Sequence, residues 1–352
     1  MSRDDRRGVL FLISLFLLAL NLGCGGGGLP SATSSNPSVQ TDSTTSRAIG
    51  APTLGFVYVP GGSEVRVING IPGASTQGSA LALPAGVTGL DFAPGQEAAV
   101  AERSSGTSVG VISFTSGAAG TLVPISGAIS QPEIIAFSPR GAAVALYSEA
   151  EGQLQVVSGL PSSPQLARSI TVASLPASPR FLAIADNGET LLEGTAEGAV
   201  YLLASSGPQL LETVSGLGGM AFNPKSTDAL IFDQGESALS LLPSVNSASP
   251  SRVLAKGLSG LEGTIALASD GRRAVITSTG AYQLWEVDLS SLQAQSLSLS
   301  TTPTMLRALI VSGDYLLAWQ PGGLAWIIDT NQTKGAVYMV PAAAETQAAL
   351  AR

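Results

Sequence analysis

The stretch Ile134–Leu160, IIAFSPRGAAVALYSEAEGQLQVVSGL, decides how the rest of the chain is read. Ile134–Phe137 is a short apolar run that meets the turn residues Ser138-Pro139-Arg140-Gly141. A second apolar run ends at Tyr147, a polar turn covers Ser148–Gly152, and Leu154-Gln155-Val156-Val157 forms a third run. Short apolar runs of this kind, punctuated by Gly, Pro, Ser and Asp, are strands joined as hairpins.

Near-copies of the unit extend in both directions. The third-strand signature recurs at Val65–Ile68, Val109–Ile112, Leu154–Val157, Val200–Leu203, Leu239–Leu242, Leu284–Val287 and Ala325–Ile328, with spacings of 39 to 46 positions. The first strand aligns six times, ending at Phe92, Phe137, Ile184, Phe222, Leu267 and Leu309. A more variable fourth strand follows each third strand, as at Ser169–Val172, Leu210–Val214 and Ala336–Val340. Four short strands at a period near 43 predict a radial all-β array. Asp186-Asn187-Gly188 and Asp270-Gly271 supply the residues that tolerate positive φ at the turns.

Phe137-Ser138-Pro139-Arg140-Gly141, Asp270-Gly271 and the strand-loop-strand core Ala142–Ser158 resemble the repeats of YVTN-type and WD-repeat β-propellers. The resemblance covers roughly residues 53–350 and lacks the Trp-Asp pair of true WD repeats. It implies a seven-bladed β-propeller of four-stranded antiparallel blades. It implies no single activity, since such propellers host lactonases, dehydrogenase subunits, assembly factors and binding modules. Gln347–Ala351 follows Val340-Pro341 much as Gln131–Ile135 follows Val123-Pro124, so the tail is expected to supply the innermost strand of blade 1 and close the ring, the rival reading being a short alanine-rich helix favoured by intrinsic propensity.

Upstream of residue 53 the chain carries an address. Arg3, Arg6 and Arg7 precede the apolar run Val9–Leu20, which is too short for a membrane-spanning helix of about 20 residues. Residues 1–23 read as a signal peptide. Gly23-Cys24 resembles a bacterial lipobox, with Asn21 where that family usually has Leu. The resemblance implies lipidation at Cys24, membrane attachment through that residue only, and an outer-membrane lipoprotein of the cell envelope facing periplasm or surface. Residues 24–52, rich in Gly, Ser and Thr, read as a flexible tether, and 53–352 as the propeller.

Without residues 1–23, 14 Lys+Arg stand against 23 Asp+Glu, a net charge of about −9. An acidic chain lacks the basic face that nucleic acid requires. Cys24 is the only cysteine, so no intramolecular disulfide forms, and the chain has no histidine. That removes Ser-His and Cys-His pairs and the usual zinc and copper sites. Gly106-Thr107-Ser108-Val109-Gly110 matches G-x-S-x-G, but it sits between strands and has no histidine to serve it. Asp186-Asn187-Gly188-Glu189 has calcium-ligand residue types at a place where a hairpin turn already wants them. No cofactor and no metal are expected. Tyr201, Trp285 and Trp326, equivalent in three third strands, are expected to pack between blades.

In an up-and-down blade the inner strand starts on the same face as the turn between its second and third strands. That rim collects Glu64, Glu102, Glu133, Glu149, Glu151, Glu197, Asp233 and Glu236, with Arg103 and Arg180 as its bases. The expected function is a non-catalytic, monomeric binding protein that takes a protein or glycan partner at this acidic channel mouth. The alternative is a hydrolase resembling the propeller lactonases, in which Glu133 and Arg180, the charged starts of inner strands, would polarise or hydrate an ester. An electron-transfer role resembling amine dehydrogenase propellers finds no cofactor ligands here.

Overall fold

A computed structural model of the chain describes residues 51–341 apart from 60–63, 105, 106, 108, 116, 225, 248, 259–263, 278–281, 301, 302, 304, 310, 311, 313, 314, 320–324 and 332–334. All described residues belong to one compact unit, Ile49–Arg352. The signal segment, Cys24, the tether up to residue 50 and the proposed closing strand lie outside the described residues.

The unit is a seven-bladed β-propeller built from consecutive antiparallel sheets. Blade 1 comprises β1 (Thr53–Val59), β2 (Glu64–Ile71) and β3 (Ala74–Leu81). Blade 2 is β4 (Val87–Phe92), β5 (Ala98–Arg103), β6 (Gly110–Thr115) and β7 (Ala118–Pro124), and blade 3 is β8 (Ile134–Phe137), β9 (Ala143–Ser148), β10 (Gln153–Ser158) and β11 (Gln165–Thr171). Blade 4 is β12 (Pro179–Ile184), β13 (Leu191–Thr195), β14 (Ala199–Ala204) and β15 (Gly207–Thr213), and blade 5 is β16 (Leu217–Phe222), β17 (Ala229–Asp233), β18 (Ala238–Leu242) and β19 (Arg252–Lys256). Blade 6 is β20 (Ile265–Leu267), β21 (Arg273–Thr277), β22 (Gln283–Asp288) and β23 (Gln293–Ser298), and blade 7 is β24 (Met305–Ala308), β25 (Tyr315–Trp319), β26 (Ala325–Asp329) and β27 (Ala336–Val340). Among the described residues blade 1 has three strands and every other blade has four.

The middle strands carry near-continuous apolar runs because both faces of each blade are covered by neighbours; every residue of β9 is buried. The core is divided into clusters between successive blades, and the one around blade 1 takes in blades 7, 1 and 2 together. Tyr201, Trp285 and Trp326 pack in such clusters, as expected. Blade 7 corrects the alignment by one residue. The Leu309 N–H donates to the Tyr315 carbonyl (2.8 Å) where Ala93 and Ser138 donate to Ala98 and Ala143. Ala308 therefore stands in the place of Phe92 and Phe137, because the turn after it is one residue longer.

The turns after the inner strands explain how blade 2 holds blade 1. In blades 3, 4 and 6 the turn closes with the N–H of Gly141, Gly188 or Gly271 bonded three residues back, at φ of 72, 69 and 68°. Blade 2 has Gln96 there, at φ 56° and 1% exposed. A side chain in this left-handed region is strained, and its amide shows what offsets the strain. Gln96 Oε1 accepts the Phe56 N–H (2.8 Å) and Nε2 donates to the Phe56 carbonyl (2.8 Å), so a side-chain amide replaces one rung of a neighbouring strand along β1.

Gly55 makes room for this contact. A Cβ there would lie 2.3 Å from Gln96 Oε1 and 2.6 Å from Leu309 Cδ2. Phe56, Phe92 and Phe114 pack as a triad, with ring centroids 5.0 to 6.1 Å apart. Arg307 of blade 7 reaches blade 2, donating from Nη2 to Asp91 Oδ1 (2.7 Å) and from Nε to the Phe92 carbonyl (2.9 Å). Substituting Gln96→Asn keeps a residue that tolerates positive φ and shortens the amide by one methylene. Thermal or denaturant unfolding is expected to show a loss of about 2 kcal/mol, from two buried hydrogen bonds broken. An unchanged or raised stability would mean that the amide does not hold the seam.

Candidate functional site

The strand order puts the starts of the inner strands and the turns between second and third strands on one face, so the acids picked out from the sequence share a rim. Their local chemistry divides six of the eight into two sets. Glu133, Glu151 and Asp233 are spent on ordering the loops. Glu133 Oε1 accepts the N–H groups of Glu149 (3.0 Å) and Ala150 (3.4 Å). Glu151 Oε1 accepts the Ser130 N–H (2.7 Å), the Ser130 hydroxyl (2.8 Å) and the Gln131 N–H (3.2 Å). Asp233 accepts the Ser215 N–H and hydroxyl (3.1 and 2.9 Å), the Gly216 N–H (3.1 Å) and the Glu236 N–H (3.2 Å).

These donors set the charge of the rim. Burial works to raise the Glu151 and Asp233 carboxyls, and the converging donors outweigh it, holding both below their ordinary values. Glu102 goes the other way: burial, and then the Asp91 carboxylate, raise it. Glu64 is ion-paired with Arg66. Glu149, Glu197 and Glu236 are exposed and form the second set, which presents its charge to solvent. Arg180 is also exposed, its guanidinium 5.5 Å from the centroid of the Phe181 ring.

Inside the rim the inner strands of blades 3 to 7 enclose a cavity of about 390 Å³. Its lining is mostly aliphatic and aromatic, with Arg180, Thr264 and Arg307 as its polar side chains. Arg180 lines this cavity, whereas Glu133 does not and turns its carboxylate back into its own loop. Among the described residues no cluster of three or more His, Cys, Asp or Glu side chains could hold a metal ion. At the turn considered for calcium, Asn187 Oδ1 accepts the N–H groups of Glu189 and Thr190, and Asp186 Oδ1 accepts the Arg140 N–H of the neighbouring blade (2.8 Å).

Sequence reading missed Glu193 and the pairing of Arg307 with Asp91. Glu193 was visible as an acid inside an apolar strand, Leu191-Leu192-Glu193, whereas no local pattern signals a pair 216 residues apart.

No protein-family model and no curated protein matches the chain. Among solved structures it is similar to Kuenenia stuttgartiensis hydrazine synthase, at 16% identity and a TM-score of 0.43 over 60% of this chain and 66% of that one, just under two thirds of the synthase chain. It is also similar to a chain of a nidogen/laminin complex, at 12% identity and a TM-score of 0.49 over 67% of this chain and 94% of that one. The fold assignment rests on the strand pairing itself.

Asp233 gives the rim a testable pH dependence. A carboxyl held below its unfolded value adds stability that is present above that value, about 3.8, and lost as pH falls through the lower folded one. Asp233→Ala is expected to cost about 2 kcal/mol at pH 7, with the deficit against wild type shrinking in acid below pH 3.8. A deficit independent of pH in denaturant titrations would contradict this role.

Proposed function

We propose that the chain is an exported, lipid-anchored binding module whose acidic rim takes a basic protein segment or a cationic glycan. The observation that carries this reading is the division of labour among the rim acids: Glu133, Glu151 and Asp233 order the loops on which exposed Glu149, Glu197 and Glu236 stand. Preordered loops lower the entropy lost on association, and a one-sign rim speeds encounter with an opposite charge.

Export, anchoring through Cys24 and residence in the cell envelope are supported by the sequence of residues 1–24. The relation to YVTN-type and WD-repeat propellers is supported by the turn Phe137–Gly141 and by the period of the repeats. Monomeric action fits a face that is offered to a partner of another kind.

Triple reversal Glu149→Lys, Glu197→Lys and Glu236→Lys leaves the loop-ordering acids in place. Affinity for a lysine-rich peptide, measured by calorimetry at low salt, is expected to fall at least tenfold in this variant, and wild-type affinity is expected to fall as salt rises. Binding that is indifferent to both changes would remove the electrostatic reading.

A further inference from the structure

Strand β13 carries a carboxylate where the other blades carry hydrocarbon. Glu193 pairs with Leu182 of β12, and the same register places Ala101, Leu146, Ile231, Ile276 and Ala318 at this point in blades 2, 3, 5, 6 and 7. All five are buried. Glu193 is 0% exposed, and among the described residues no group within hydrogen-bond geometry reaches either carboxyl oxygen.

Its surroundings are the seam between blades 3 and 4. Leu191 shares its face of β13, Leu182 and Tyr201 lie beside it on the paired strands, and Tyr147 projects from β9 of blade 3 into the same apolar cluster. The Tyr147 hydroxyl is itself buried and lacks a partner of hydrogen-bond geometry among the described residues. Two buried polar groups in one apolar seam, with only the Ala177 N–H and the Ser178 side chain acting on them, leave an ionised carboxylate little to replace its water. Under those conditions the acid keeps its proton.

We propose that Glu193 is a proton-binding site: the folded protein holds it as a neutral acid, and loss of that proton opens the loop Val172–Ser178 that covers the seam. Opening this loop would expose the carboxylate to water. Val172 and Leu175 pack onto the seam, and their N–H groups donate to the Gly152 and Val172 carbonyls (3.0 and 2.9 Å). Two serines, Ser174 and Ser178, give the loop its polar side chains. The Ala177 N–H and the Ser178 side chain are the polar groups of the loop that act on Glu193 and Tyr147.

The groups facing this seam give the carboxylate no cation. From β9 comes the Tyr147 hydroxyl, raised by burial and, against the opposing pull of the Ser178 side chain, by Glu149, Glu133 and Glu193. From β14 comes Tyr201, and from β11 comes Arg168, whose guanidinium is bonded to the Leu203 and Ala204 carbonyls (2.9 and 3.2 Å). At the start of β12, Arg180 is exposed over Phe181. Burial pushes Glu193 up to about 7 from 4.5, with the Ala177 N–H pulling weakly the other way.

The sign of the linkage follows. Between pH 4.5 and about 7 the unfolded chain releases a proton that the folded protein keeps, so stability falls as pH rises through this window and levels off above it. Hydrogen-exchange protection factors for residues 172–178 of the intact chain, followed from pH 6 to 8, test the loop. At least a tenfold fall is expected in wild type and a flat profile in both Glu193→Leu and Glu193→Gln. Constant wild-type protection, or the same fall in the variants, would overturn the proposal. Should the variants fail to fold, a carbon-13 titration of the wild-type Glu193 carboxyl decides: a midpoint near 7 supports the site, and one near 4.5 removes it.

Discussion

A ring of blades must hold its first sector against both neighbours, and in this protein the described part of that join is one backbone hydrogen bond from the Gln77 N–H to the Pro341 carbonyl (3.4 Å) on the blade 7 side and a set of side chains on the blade 2 side. The Gln96 amide bonds both backbone groups of Phe56, the Phe56, Phe92 and Phe114 rings fill the space behind it, and Arg307 ties blade 7 to Asp91 and Phe92 of blade 2. An unpaired backbone edge in a buried seam carries a desolvation penalty, so one well-placed amide matters more than its single rung suggests. Each sheet buries its faces only against its neighbours, and the core around blade 1 is the one place where three blades share a cluster among the described residues. The rim, the channel and the seams keep their spacing only while this join holds.

The architecture was legible because it is periodic. The apolar runs had to repeat wherever a blade is covered on both faces, and the third-strand signatures of blades 2 to 7 fall on β6, β10, β14, β18, β22 and β26, with that of blade 1 on β2. Turn residues were legible for the same reason: Gly141, Gly188 and Gly271 stand at positive φ where the pattern asked for them. What escaped were departures from the period. Gln96 breaks the glycine rule because its side chain is needed elsewhere, and blade 7 slips by one residue because its turn is longer. Arg307 and Asp91 meet only through closure of the ring, which no window of sequence contains.

The candidate site was legible in address and blurred in role. A rim position follows from strand order alone, and Glu133, Glu151 and Asp233 lie at the strand ends and turns that this order assigns to one face. Whether a rim acid looks outward or caps its own loop depends on which N–H groups the turn brings within about 3 Å, and composition does not encode that. Glu193 shows the converse. Its residue type looked like a break in an apolar strand, and only the register with Leu182 and the lack of any partner for its oxygens among the described residues give it chemical meaning.

The direct test of how blade 1 is held is the exchange rate of the Phe56 amide hydrogen. Held by Gln96 Oε1 in a buried seam, it is expected to exchange only through global unfolding, as slowly as amides in the middle of β9. Exchange faster by several orders of magnitude under native conditions would show the seam between blades 1 and 2 opening by itself, and would contradict the account of how blade 1 is held in the ring.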